Sequence, residues 1–312
     1  MTILMLETID DDAMAVLKNA APVLVSPSPD AHGHDLPFEK VTAIVTRGLG
    51  QLDRALIEKC PDLKVIARCG AGLNNLDLVA AAERDIRVIH APGINAAAVA
   101  EHALMLMLMT VRNGFGTGTE VKQENWACRE EFSGDDMSGK RVCIVGGGNI
   151  GQRTAELCRA FDMDVTICGR HGKGINGLKA ALTQHLPDSD IVSLHIPLSP
   201  ETRHLISGDL LASFKAGAVL INTARGELVH TADLVDALNG GQLKAYAADV
   251  IEGGAPKSDD PIIAHPRSVV TPHVAALTRR TYRAMGLFTA RNVVSALTDG
   301  NPDPFSVYGG TA

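Results

Sequence analysis

Short apolar runs alternate with stretches whose apolar residues recur every three or four positions along most of the chain. The runs Ile3–Leu6, Pro22–Val25, Ala43–Thr46, Val65–Arg68 and Arg87–His90 predict strands. Between them, 11–19, 52–59 and 76–83 predict helices. Such βαβ alternation predicts a parallel sheet with helices on both faces. A long amphipathic stretch, 96–112, follows, and then a polar segment, 113–139, that carries the single tryptophan, Trp126.

A second alternation starts at Lys140. Strands are predicted at 141–145, 164–168, 191–195, 218–222, 245–250 and 268–271, with helices at 150–161, 178–185, 207–213 and 231–238. A last helix, 277–297, runs into the stop signal Asp299-Gly300-Asn301-Pro302. Two α/β units of unequal size are expected.

Composition narrows the function. With 29 basic against 36 acidic residues the net charge is −7, which lacks the basic excess that phosphate-backbone binding needs, so nucleic acid is excluded as a partner. The longest apolar stretch, 96–111, is interrupted by Glu101 and His102 and is too short for a membrane span. The acidic start MTILMLETIDDD does not read as a signal sequence. The six cysteines form no CxxC pair, which argues for reduced thiols, a cytoplasmic location and no metal site.

The strand 141–145 runs into Gly146-Gly147-Gly148-Asn149-Ile150-Gly151 and then a helical pattern. This glycine motif, closing a buried strand and opening a helix, predicts a dinucleotide site. Gly146 permits the turn, Gly148 admits a pyrophosphate, and Gly151 lets the helix pack on the strand. Amides at the helix start, at Asn149 and Ile150, face the diphosphate. The next strand ends in Cys168-Gly169-Arg170-His171-Gly172-Lys173, with no carboxylate for a ribose 2′-hydroxyl. Arg170, supported by His171 and Lys173, suits a 2′-phosphate instead, so NADP(H) is preferred and NAD(H) is the alternative.

Further segments resemble the D-isomer-specific 2-hydroxyacid dehydrogenase family, which includes phosphoglycerate dehydrogenase and glyoxylate/hydroxypyruvate reductases. They are Arg68-Cys-Gly-Ala-Gly-Leu-Asn-Asn-Leu-Asp77, Asn95-Ala-Ala-Ala-Val-Ala-Glu-His102, Gly139-Lys140 and Asp190-Ile-Val-Ser-Leu-His-Ile-Pro-Leu198. Then come Ile221-Asn-Thr-Ala-Arg-Gly-Glu-Leu-Val229, Asp249-Val250 and Thr271-Pro-His-Val-Ala-Ala-Leu-Thr278. The resemblance implies a Rossmann dinucleotide-binding domain, 99–281, inserted in a flavodoxin-like substrate-binding domain, 1–98 and 282–312. It also implies hinges near 95–99 and 278–283, an active site in the cleft, and a homodimer whose arm includes Trp126.

By this resemblance Arg225 is the catalytic arginine that anchors the substrate carboxylate and polarises the 2-oxo group, a task suited to a fixed cation. His273 is the general acid/base. Asp249 holds the nicotinamide carboxamide, Thr223 and Ala224 lie beside the same ring, and His195 and Pro197 line the adenosine side. Ala71 and Gly72 bind the substrate carboxylate, and Arg47 matches an arginine that meets phosphate in phosphoglycerate dehydrogenase.

The family glutamate beside the histidine falls on Gly254 in Asp249-Val-Ile-Glu-Gly-Gly-Ala-Pro256. Either Glu252 takes that role through a remodelled loop, or His273 works without a carboxylate. The expected function is reduction of a small 2-oxo acid such as glyoxylate or hydroxypyruvate to the D-2-hydroxy acid. The alternatives are a phosphoglycerate-type dehydrogenase and a non-catalytic dinucleotide sensor.

Overall fold

A computed structural model describes residues 1–169, 174–257, 259–298 and 300–309. The chain divides into two compact units, Met1–Asn95 with Leu277–Ala312, and Ala96–Ala276. The cuts fall immediately before or close to helix starts, at Ala96 and Arg279, a few residues from the expected boundaries.

The first unit is one five-stranded parallel sheet made of β1 (Thr2–Met5), β2 (Val23–Val25), β3 (Val41–Thr46), β4 (Val65–Arg68) and β5 (Arg87–Ile89), in the order β2-β1-β3-β4-β5. Alternate residues feed opposite faces, as a two-residue repeat requires. Leu4, Ile44 and Ile66 pack with Leu52, Leu56 and Ile57 on one side. Ile3, Val45 and Ala67 pack on the other against Leu17 and Val293, from the helices Asp11–Ala20 and Arg279–Leu297. Asp10, Asp53, Asp77 and Thr278 cap their helices through side-chain oxygens, satisfying amides that the helices leave unpaired.

The second unit is a six-stranded parallel sheet: β6 (Arg141–Val145), β7 (Asp164–Cys168), β8 (Ile191–Leu194), β9 (Ala218–Asn222), β10 (Leu243–Ala248) and β11 (Ser268–Val270), in the order β11-β10-β9-β8-β6-β7. Its strands are nearly all apolar because helices cover both faces. In each sheet the strand order reverses once, between β1 and β3 and between β6 and β8. Open α/β sheets bind ligands at such reversals, outside the carboxyl ends of the strands.

The polar segment after residue 112 holds structure that its glycines argued against. Gly114–Lys122 is helical behind a left-handed Asn113, and Trp126–Glu131 forms a 3₁₀ turn. Neither buries a residue fully, and Phe115, Val121 and Trp126 are exposed. No helix among the described residues is long and apolar enough to cross a membrane.

Candidate active site

In the second unit the glycine turn sits at the β6/β8 reversal. Gly146 has φ +110°, and a side chain there would lie 2.4 Å from the carbonyl oxygen of His195. Its amide donates to the Cys168 carbonyl, and the His195 amide donates to that of Val145. The turn is thus fastened to both neighbouring strands. Helix Asn149–Ala160 starts at Gly148 without a side-chain cap, and a Cβ on Gly148 would meet nothing within 4 Å. The space in front of the exposed Asn149 is therefore open to an anion held by helix-start amides. Gly151 approaches the Gly146 carbonyl too closely for any side chain, so the helix can pack on the strand. Ile150 is half-buried beside it.

His195 follows β8, partly buried, with its Nε2 2.9 Å from Ser193 Oγ. Burial pushes its pKa down to about 4, so the ring is neutral near pH 7. Pro197 is exposed, and its carbonyl accepts from Thr202 Oγ1 at 2.9 Å. Arg170, His171 and Lys173 lie outside the described residues.

β9 ends in a fully buried Asn222 that shapes the next turn. Its Nδ2 donates to the Arg225 carbonyl at 2.9 Å, and its Oδ1 accepts the Ala224 amide at 3.0 Å. Arg225 Nη1 donates to the Ala224 carbonyl at 2.6 Å, and burial pushes the guanidinium pKa down from its usual value. A cation that has lost much of its water is strengthened toward any anion that reaches it. Beside Ala224, Thr223 Oγ1 is buried and lacks a hydrogen-bond partner among the described residues. The sequence reading assigned no role to Asn222. Its signal was a polar residue at the end of an otherwise apolar strand.

Asp249, 1% exposed, follows β10. Its Oδ1 accepts from Thr271 Oγ1 at 2.5 Å and from the Val274 amide at 2.9 Å, and its Oδ2 accepts the Ala275 amide at 2.8 Å. One buried carboxylate thus clamps both sides of His273. That histidine is exposed and left-handed, with φ +55°, a conformation a non-glycine residue keeps only when its surroundings impose it.

The expectation for Glu252 is corrected. Its Oε1 lies 2.6 Å from His204 Nε2 and its Oε2 accepts from Thr231 Oγ1 at 2.7 Å, so both oxygens are engaged away from His273. The cause is that His204 and Thr231 offer the carboxylate two hydrogen-bond partners. Gly253 and Gly254 have φ +82° and +84°, and the glutamate precedes this left-handed pair. Burial raises the Glu252 pKa, but Thr231 and His204 together lower it below the usual carboxylate value. Glu252→Gln is accordingly expected to leave the pH profile of keto-acid reduction within about 0.3 units of wild type. A displacement near one unit, about 1.4 kcal/mol of interaction, would return the carboxylate to His273.

In the first unit, Glu7 after β1 and Arg47 after β3 meet at the β1/β3 reversal. Glu7 Oε2 accepts the amides of Arg47, Gly48, Leu49 and Gly50 and the Thr46 hydroxyl, at 2.8–3.0 Å. Its other oxygen lies 3.5 Å from Arg47 Nε, and the Arg47 guanidinium rests over the Tyr282 ring at 5.4 Å. The amide nest and the cation therefore already hold an anion that belongs to the chain. Ala71 and Gly72 are half-buried. Their carbonyls accept from His90 Nδ1 at 3.1 Å and Arg68 Nη1 at 2.5 Å, which fixes the loop's peptide planes.

Burial alone would raise the Glu7 pKa, but the hydrogen bonds from Gly50, Gly48, Thr46 and Arg47 bring it down to about 2, from 4.5. Because the folded value is depressed, the stabilisation is complete above about pH 4.5 and is lost as pH falls through 2. A shift of this size corresponds to about 3 kcal/mol. Glu7→Gln is expected to lose most of this at pH 7 and much less at pH 3, as read from urea unfolding of both proteins.

Comparison with known proteins decides the family. A family model, "D-isomer specific 2-hydroxyacid dehydrogenase, NAD binding domain", matches residues 104–275, more than half of the chain. The chain belongs to this family. A hydroxypyruvate reductase of Thermotoga maritima is 32% identical over 263 residues, 83% of this chain and 85% of that protein. A D-3-phosphoglycerate dehydrogenase of Archaeoglobus fulgidus is 32% identical over 301 residues, 95% of this chain and 57% of that protein. The chain thus spans about half the length of the phosphoglycerate dehydrogenases it matches. A Thermus thermophilus protein of known structure superposes with a TM-score of 0.85 at 32% identity, covering 97% of this chain and 98% of that one.

The family match falls within the second unit, Ala96–Ala276, which thus corresponds to the family's NAD binding domain. Its residues fit such a nucleotide on two independent grounds, the open space at Gly148 and the unpaired buried hydroxyl of Thr223. Gly146, Gly148, Asn149, Ile150 and Gly151 would hold the diphosphate, with Thr223 and Ala224 toward the ring.

Proposed function

We propose that the protein reduces a small, unphosphorylated 2-oxo acid of the glyoxylate or hydroxypyruvate class to the D-2-hydroxy acid. The observation that carries this reading is that a desolvated Arg225 and a clamped His273 follow β9 and β11, at the carboxyl ends of strands in one parallel sheet. A bound nicotinamide nucleotide supplies the hydride. Arg225 holds the substrate carboxylate and polarises the carbonyl, and His273 gives a proton to the carbonyl oxygen, taking it back in the reverse direction. Asp249 secures the loop that carries His273. Ala71 and Gly72 stand as substrate contacts of the first unit.

The choice of an unphosphorylated acid is supported by Arg47, whose charge is already matched by Glu7 and whose face is covered by Tyr282. A substrate phosphate would add its charge next to a buried carboxylate. The NADP preference is supported by sequence. In the sequence Arg170 stands two residues after Cys168, the last residue of β7, and no carboxylate for a ribose 2′-hydroxyl stands between them. Phe115, Val121 and Trp126, all exposed within one twelve-residue stretch of sequence, support a homodimer that would cover them. The six free cysteines support a cytoplasmic setting.

Oxidation of NADPH and NADH by glyoxylate, hydroxypyruvate and 3-phosphohydroxypyruvate tests these statements together. The expected order of kcat/KM puts the unphosphorylated acids first and NADPH above NADH, with the nucleotide order reversed in Arg170→Glu. Preference for the phosphorylated acid would install the phosphoglycerate reading. Nucleotide binding without turnover of any acid would install the sensor.

A further inference from the structure

The Asp249 carboxylate that clamps the His273 loop is itself held by a side chain from outside that loop. His102 projects from helix Ala96–Val111, with its side chain 13% exposed. Its Nε2 lies 2.9 Å from Thr271 Oγ1 and 3.6 Å from Asp249 Oδ1. Thr271 Oγ1 lies 2.5 Å from the same Asp249 oxygen.

The protons in this triad can be counted. A threonine hydroxyl has one hydrogen to give, and a carboxylate can only accept. The short Thr271–Asp249 contact uses that hydrogen. Thr271 must therefore accept from His102, whose Nε2 carries a proton. The chain of donation runs His102 Nε2–H to Thr271 Oγ–H to Asp249 Oδ1. From Asp249 the restraint passes to the Val274 and Ala275 amides, and so to the left-handed backbone of His273.

We propose that His102 is a positioning residue for the proton transfer, acting through Thr271 and Asp249 to hold His273 in its strained conformation. This rests on the reading of His273 as the proton donor. Without a donor at position 102, Thr271 is free to turn its hydroxyl toward the Ala248 carbonyl, 3.4 Å away, and Asp249 loses one of its anchors. The segment 271–275 can then relax, and His273 with it. A displacement of this kind lowers the chemical step without removing any group that binds nucleotide or acid.

The test uses His102→Leu and His102→Gln in the full chain, where glutamine restores a side-chain N–H. Steady-state reduction of the best 2-oxo acid is measured across pH, together with the NMR titration of the His273 ring, assigned through His273→Asn. The expected result for His102→Leu is a fall in kcat of about tenfold, with KM for acid and nucleotide within about twofold and the His273 titration displaced. His102→Gln should recover most of the loss. The inference is overturned if His102→Leu keeps the wild-type kcat and His273 titration. It is equally overturned if glutamine gives no recovery although both variants bind nucleotide as wild type does. Should the wild type turn over no acid, the functional reading falls, while the His273 titration still decides whether His102 governs that residue.

Discussion

Arg225→Ala is expected to lower kcat/KM for keto-acid reduction by about 10²–10³-fold, the usual effect of deleting one preorganised group that stabilises developing charge. Three observations set the size. The guanidinium is desolvated, so an anion that reaches it meets a charge little screened by water. Its turn is fixed from within the sheet by Asn222, which ties both Ala224 and Arg225. Its neighbour Thr223 is buried just after β9, and its hydroxyl has no bond to the guanidinium among the described residues, so nucleotide affinity should stay within about twofold of wild type. Arg225→Lys should recover little, because a single ammonium cannot reproduce a planar fork on a carboxylate. Steady-state kinetics with fluorescence titration of NADPH checks both halves. Loss confined to nucleotide binding would move Arg225 out of the chemistry.

Gly226→Ala should be nearly as damaging, for a purely steric reason. A Cβ at 226 would lie 1.9 Å from the Ile251 carbonyl carbon and 2.3 Å from the Glu252 amide nitrogen. These are main-chain atoms, so no side chain can swing away. One added methyl must push the Arg225 turn and the 251–252 segment apart, at a cost of about 3 kcal/mol. For a chain of this size that lowers the melting temperature by roughly 5 °C. The same displacement moves Arg225, so the surviving folded protein should also show reduced kcat. A variant with wild-type stability and kcat would mean that the close approach is not maintained in solution.

Much of this architecture was legible in the residues. Parallel strands buried on both faces are near-continuous apolar runs, and β4, β6, β7 and β9 have the predicted limits. The glycine turn was legible because its constraints are local, a turn and a helix start. The helix Gly114–Lys122 was not. Its three glycines speak against a helix, and an exposed segment leaves no periodic apolar stripe to outweigh them. Glu252 was unresolved for a different reason. Which partner a carboxylate takes depends on what folding brings beside it, here His204 and Thr231, 48 and 21 residues away. Glu7, His102 and Thr271 passed without a role because each acts through a neighbour brought close only by folding.

The left-handed glycine pair at 253 and 254 carries a consequence for redesign of this loop. Gly254 has φ +84°, which suits glycine and strains any other residue. A glutamate placed there by one replacement would sit on a backbone that resists it, while Glu252 remains tied to His204. A carboxylate meant to tune His273 is therefore better carried by another position than by this turn.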